Sequence, residues 1–400
     1  MKVDRTYDVL VAGGGVAGVA AALSAARAGV KAAVIEKTIL PGGLATSGLV
    51  IHYLPICDGV GTVVGQSMPE EFLRLSVKYG PERIPADWRD PASASRYRTY
   101  FSPASFVLAL DEALEQAGVE MWYDTLSCAP VVEAGRVTGL EVENKSGRRR
   151  LAGTVVIDAT GDADVARRAG APCVEGDNML SNWALETSLG AAEEAVRRRD
   201  GYGLLQVNKF NRDRAFCWGV SGRKVTEFVL ASRRQLRAHY AGRQREEGKD
   251  AVYPLALATQ ANVRKTVGIV GRSSLRVGDA WMPRPDGVGV LTHSTAGGGA
   301  QLPVWEIPYG ALLPRGVDGL LVAGRAIGAE DEAWELLRPI PPCVSTGQIA
   351  GAAAALAAKR NCRPHEIDLD QLRCGLRAAG AKCGLEELYG RLWRDRVPCR

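Results

Sequence analysis

A chain of 400 residues is longer than one hydrophobic core usually spans, so two interleaved domains are expected. Its 46% hydrophobic content suits a globular enzyme, and a net charge of +5 with arginine runs at 148–150 and 197–199, free of interleaved aromatics, points away from nucleic acid. The nine cysteines show no metal-ligand spacing and are odd in number, which argues against a metal site and for reduced thiols in a cytoplasmic protein.

The first 15 residues run straight into a strand, so no cleaved leader is expected, and the alanine- and glycine-rich stretches are too short and interrupted to span a bilayer, so no membrane partner is expected. An apolar strand over 8–12 enters GGGVAG at 13–18, followed by an alanine-rich helix over 16–28 and a second strand ending at Glu36. Gly13 permits the tight turn, Gly15 leaves room for a pyrophosphate, and Gly18 lets helix and strand pack closely. The backbone at Val16 and Ala17 opens the helix and aims its N–H groups and positive dipole end at the phosphates. Glu36, with Lys37 beside it, lies where an acidic side chain accepts both ribose hydroxyls and repels a 2′-phosphate. These parts in this order predict an adenine dinucleotide.

The loop PGGLATSG that follows favours a flavin over a nicotinamide. Gly42 and Gly43 admit close approach to a flat ring system, with Ala45 and Thr46 beside it, although a plain surface turn would use the same residues. A helix over 103–117 and a buried strand over 119–123 come next, then a meander of three strands at 125–133, 136–143 and 148–152. A further strand over 154–159 returns to the main sheet and delivers Thr160, Gly161 and Asp162 beside the nucleotide. Late in the chain VDGLLVAGRAIGA repeats that pattern, placing Gly324 and Arg325 near the pyrophosphate and ribityl chain. An apolar helix over 346–359 would present Thr346, Gly347 and Gln348 at its N-terminus to the negative charge of reduced flavin. A core helix with a small-residue packing face accounts for the same three residues.

The predicted fold is α/β: a Rossmann-like FAD-binding domain, a parallel sheet with an antiparallel meander, and an interleaved α+β substrate domain. Residues 1–170 plus 315–380 form the first, with 58–100 as a cap-like insertion; 171–314 form the second, and 381–400 a helical tail. The middle region carries Asn182, Trp183 and Glu186, an amphipathic helix around 223–240, then His293 and Glu306. His293, one of four histidines, is the first candidate for a catalytic base, with an idle surface-loop histidine as the other reading. Arg264 and Arg338 suit clamping a carboxylate or polarising a carbonyl, or else pairing with Glu330, Glu332 or Glu335. His52 lies near the glycine loop but matches no flavin-attachment motif.

Taken together, GGGVAGVAAALSAARAG, PGGLATSGLV, VVIDATGDADVARRAGA, WEIPYGALLPRGVDGLLVAGRAIGA and CVSTGQIAGAAAALA resemble the FAD-dependent oxidoreductase family of the glutathione-reductase-type flavoprotein superfamily. The resemblance covers residues 7 to about 380. It implies noncovalent FAD, redox chemistry at flavin N5, and cofactor contacts at the glycines, Glu36, Thr46, Asp162, Arg325 and Gln348 named above, with the backbone at Ser127 against adenine. Arg338 matches an arginine that precedes the final helix in similar proteins. Asp331 replaces a frequent histidine and Lys265 a frequent acidic residue. Cys57 lacks the partner that a disulfide reductase needs, and no second glycine-rich fingerprint marks an NADPH domain. The function expected is a dehydrogenase or oxidase passing hydride between a small polar substrate and N5, with oxygen or an unidentified acceptor completing the cycle. A flavin monooxygenase and a non-catalytic FAD-binding protein of RNA modification or assembly are the alternatives, and a homo-oligomer is left open.

Overall fold

The computed structural model describes residues 3–81, 83–84, 86, 99–176, 182–199, 206–210, 221–264, 266–293, 301–390 and 394. Strand β1 (Val3–Ala12) begins exposed and ends in the buried run from Val9 to Ala12, the pattern of a strand covered on both faces. Helix α1 (Val16–Arg27) crosses over to β2 (Ala32–Ile35), which lies parallel to β1 with Val9 opposite Ala32 and Ala12 opposite Ile35. A short antiparallel ladder joins β3 (His52–Tyr53) to β4 (Thr99–Tyr100), and α2 (Met68–Val77) lies between them in sequence. Next come α3 (Pro103–Gln116) and β5 (Glu120–Trp122), which extends the sheet beyond β2 but is only half-buried where a buried strand was predicted.

The meander consists of β6 (Leu126–Glu133), β7 (Arg136–Asn144) and β8 (Gly147–Asp158). Here the structure corrects the sequence reading, because the strands predicted at 148–152 and 154–159 are one. β8 pairs antiparallel with β7 over its first part and parallel with β1 along its length, from Arg150 opposite Val3 to Asp158 opposite Ala12. Gly153 reads in sequence as a break, yet a Cβ there would lie 2.9 Å from that of Leu10. Its glycine serves close strand packing, not a turn.

After α4 (Asp164–Arg168) and β9 (Cys173–Glu175), β10 (Asn182–Thr187), α5 (Leu189–Arg198), β11 (Gln206–Phe210), α6 (Gly222–Glu247) and β12 (Tyr253–Leu257) follow. β10 is the centre of an antiparallel three-stranded sheet, with β11 and β12 on either side. α6 outruns its predicted span. Ser221 caps it by accepting from the Lys224 N–H at 3.2 Å, and the i,i+4 pair Arg243–Glu247 supports its last turns until Gly248 at φ +100°.

β13 (Val267–Ile269) pairs with β9, and β14 (Gly287–Thr292) with β15 (Val304–Pro308). β16 (Leu320–Val322) then lies parallel to the end of β8, so the parallel strands run β5-β2-β1-β8-β16 and the meander branches from β8. α7 (Trp334–Leu337), α8 (Ile340–Arg360), α9 (Leu369–Ala378) and α10 (Leu385–Tyr389) complete the chain. α8 packs along α1 because Gly347 and Gly351 carry no side chain; a Cβ would stand 2.2 Å from the Ala17 carbonyl oxygen and 2.1 Å from that of Ala21. Among the described residues no helix is long and apolar enough to cross a membrane.

Candidate functional site

The residues that follow β1, β2, β8 and β16 converge on a cavity of about 340 Å³, within the size range of small-ligand sites. Glu36, Lys37, Leu126 and Ser127 line one end; Gly13, Gly15, Val16, Ala17, Gly161 and Arg325 are among the residues lining the middle; Ala45, His52, Asn262, Arg264, Arg338 and Cys343 are among those at the other. Thr160, Asp162, Gly324, Gly42 and Gly43 line it as well.

The glycine turn separates binding from packing. Gly13 stands at φ +98°, where a Cβ would lie 2.6 Å from the Ala159 carbonyl oxygen. A Cβ on Gly18 would approach the Gly13 carbonyl oxygen to 1.8 Å, so Gly18 joins helix to strand and does not face the cavity. Gly15 differs. Beyond its chain neighbours, no atom of the described residues lies within 4 Å of a Cβ built there, and its φ of −65° suits any residue. It therefore borders space kept open for something other than protein, directly before the N–H groups of α1 that lack helical partners.

The charges in this stretch fit the same occupant. Arg325 donates from Nη2 to Asp162 at 2.6 Å, and Asp162 also accepts from the Thr266 hydroxyl at 2.6 Å. A Cβ on Gly161, at φ +83°, would meet the guanidinium at 2.7 Å, while buried Arg325 Nε has no partner among the described residues. An orphaned buried cation nitrogen beside an open helix start fits a pyrophosphate.

Glu36 is 6% exposed and is more committed than its sequence position implies. Its Oε2 accepts from the Gly14 N–H at 2.9 Å, and its Oε1 accepts from the Thr38 N–H and hydroxyl, both at 2.9 Å. The Thr38 hydroxyl also reaches the Leu40 carbonyl at 3.2 Å, so turning its one proton there opens a second acceptor position for a ribose diol. The residues present thus fit an adenine dinucleotide from ribose to pyrophosphate.

In the following loop the Gly42 N–H donates to the Gly14 carbonyl at 2.7 Å, and a Cβ on Gly43, at φ +55°, would lie 3.0 Å from the Gly15 Cα. Close approach is real here, first of all to the neighbouring turn. Thr46 is buried, donates its hydroxyl to the Pro41 carbonyl at 2.7 Å, and closes the loop from behind without lining the cavity.

Thr346, Gly347 and Gln348 do not open a helix. α8 starts six residues earlier, because Pro341 and Pro342 are well suited to a first turn, and these three are buried in its second turn and beyond. The Thr346 hydroxyl accepts from the Gly324 N–H at 2.9 Å, and Gln348 donates to the Ser67 hydroxyl at 2.9 Å. Pro339, Ile340 and Cys343 line the cavity in their place. Burial pushes the Cys343 thiol up to about 11, which keeps it protonated.

The far wall combines polar groups from distant segments. Arg338 Nε is bonded to Glu335 at 2.5 Å, one of the pairings given as the alternative to a clamping role, whereas Glu330 pairs with Arg276. Arg264 makes no ion pair among the described residues, and burial together with nearby Arg338 pulls its guanidinium below the usual range. Asn262 is 2% exposed and its Nδ2 has no partner among the described residues. His52 lines the same end, stacked on Tyr100 with ring centroids 4.5 Å apart. His293 follows β14, half-buried, and is not among the described lining residues; its neighbours 294–300 lie outside the described residues, as does Lys265. Gln260 and Asn262 escaped the sequence reading. Their signal was the alternation of polar residues at 260, 262 and 264, which an extended segment presents on one face.

Residues 8–195 and 181–376 match the family described as FAD dependent oxidoreductase. Over 247 residues the chain is 31% identical to the digeranylgeranylglycerophospholipid reductase of Methanoculleus marisnigri, an overlap of 55% of this chain and 57% of that one. It thus spans little more than half of that relative. A geranylgeranyl bacteriochlorophyll reductase-like protein of Thermoplasma acidophilum superposes with a TM-score of 0.53 at 15% identity, covering 98% of this chain and 87% of that one. The p-nitrophenol 4-monooxygenase of Pseudomonas putida does so at 0.51 and 14%, covering 90% and 81%. At such identities the likeness is one of fold. With the family match spanning the chain and a cleft that fits the dinucleotide, the chain belongs to the FAD dependent oxidoreductase family and is an FAD-dependent enzyme.

Proposed function

We propose that this enzyme transfers a hydride between a small polar organic substrate and the flavin, with oxygen or a separate acceptor completing the cycle. The observation that carries this reading is the donor-rich far wall, where Gln260, Asn262, Arg264 and Arg338 line one continuous cavity with the nucleotide end. FAD held there supplies a two-electron acceptor at N5. The chain's own residues orient the substrate and move its proton. His52 is the group assigned the proton, because it is a described histidine lining the cavity and because stacking on Tyr100 fixes its ring. Trp183, 6% exposed, limits water at the same end.

The relative from Methanoculleus is named for a lipid substrate, and an isoprenoid chain is the competing reading for this cavity. Hydrocarbon laid against Asn262 and Arg264 would leave their donors desolvated and unmatched, which disfavours it. The test is anaerobic mixing of the yellow holoprotein with a panel of hydroxy and amino compounds while following the oxidised-flavin bands. Bleaching by one panel member is the expected result. Failure of the whole panel, with NADPH consumption coupled to oxygen insertion instead, would transfer the assignment to a monooxygenase.

A further inference from the structure

We infer that the substrate of this cleft carries a single carboxylate, received by Arg264 and Arg338 with the Asn262 amide. The inference rests on the hydride-transfer reading above and names the chemical class that the far wall accepts.

Charge balance at that wall is uneven. Two guanidiniums face the cavity, and the carboxylate of Glu335 answers one of them through Arg338 Nε. Arg264 is half-buried and makes no hydrogen bond or ion pair among the described residues. Such a cation loses hydration with only the unbonded attraction of Glu335 in return, and burial and Arg338 together pull its pKa down despite that carboxylate. An anion entering the cavity removes both penalties. Asn262 gives an independent indication, since its Nδ2 is a buried donor with no acceptor among the described residues. An anionic acceptor is what both groups lack.

The size of the surplus selects the anion. Among the described residues of this wall, two arginines against one glutamate leave about one positive charge, which a carboxylate neutralises, whereas a phosphate dianion would leave excess negative charge in a half-buried site. A guanidinium fork also matches the two oxygens of a carboxylate geometrically. Butyrate and butyramide share their shape and differ in charge, and neither is expected to reduce the cofactor, so they separate binding from turnover.

Titrating the holoprotein with each, and reading the perturbation of the flavin spectrum, tests the inference. Butyrate should bind saturably, about tenfold or more tightly than butyramide and more tightly than inorganic phosphate, with affinity falling as salt rises. Arg264→Gln should weaken butyrate by about tenfold or more while flavin content and dithionite reduction stay intact, and Arg264→Lys should restore part of the loss. Equal binding of acid and amide, tighter binding of phosphate, or flavin loss in Arg264→Gln would each overturn the inference, the last by giving Arg264 to the cofactor. If butyrate binds as expected but no carboxylate-bearing donor ever bleaches the flavin, the hydride-transfer reading fails and the anion site stands.

Discussion

Gly15 and Gly18 stand three residues apart in one turn, yet their substitution should have opposite consequences. A methyl group at Gly15 meets no atom of the described residues within 4 Å beyond its chain neighbours, so Gly15→Ala should leave apoprotein stability within about 0.5 kcal/mol while sharply weakening FAD. At Gly18 the same methyl would collide with the Gly13 carbonyl, and Gly18→Ala should cost about 1–3 kcal/mol or more in urea unfolding before any cofactor is added. Equal flavin titrations for Gly15→Ala and the parent would remove the phosphate site. Glu36→Arg adds a like charge to the Lys37 side of the cleft and strips Gly14 and Thr38 of their acceptor, so the purified variant should be colourless. Undiminished absorbance from bound flavin would contradict the ribose assignment. These residues were legible in sequence because a local backbone demands them: a turn needs glycine and a strand end presents its acid. Asn262 and Arg264 were harder to place, since what gives them meaning is proximity to Arg338, and no local rule links residues so far apart in the chain.

At the scale of elements, β8 and α8 show how a local reading goes astray. Glycine at 153 and paired prolines at 341 and 342 look like breaks, but here they mark close packing and a helix start. Asp158, at the end of β8, is fully buried and acts as a junction. Its Oδ1 accepts from the Thr160 N–H at 3.0 Å and hydroxyl at 2.7 Å, and its Oδ2 accepts from the Val165 and Ala166 N–H groups, both at 2.9 Å. Burial pushes its carboxyl above the usual range while these donors pull the other way. Asp158→Asn turns one acceptor into a donor facing two donors, so it should destabilise by about 1–3 kcal/mol per stranded group. Amide exchange in α4 should quicken with it. Unchanged unfolding would show that β8 and α4 are joined by something else. The contact of α8 with α1 is equally exacting, and Gly351→Val, placing bulk against the Ala21 carbonyl, should lower apoprotein stability by about 3 kcal/mol.

The cavity draws its lining from Gly13 at one end of the chain to Cys343 near the other, so a bound cofactor ties the whole molecule together. FAD in about 100-fold excess over its Kd should add about 2.7 kcal/mol, seen as a rise in melting temperature over the apoprotein. Acid or heat should release the yellow colour into solution; colour that stays with the precipitate would mean a covalent bond. The order of the large sheet was legible because its strands are apolar runs ending in glycine turns. The sheet formed by β10, β11 and β12 was not, because its strands are joined across polar stretches with weak periodicity. The prolines that open α8 also bear on the redox poise of the enzyme. Proline lacks an amide hydrogen, so the start of α8, bordering the cleft at Ile340 with Pro339 at its cap and Pro341 and Pro342 in its first turn, presents three fewer donors than one of ordinary composition. This helix start then stabilises negative charge arriving with electrons less than one of ordinary composition would. Replacing Pro341 and Pro342 with alanine should therefore raise the flavin potential measured by spectroelectrochemical titration, and an unchanged potential would show that this helix start does not act on the flavin.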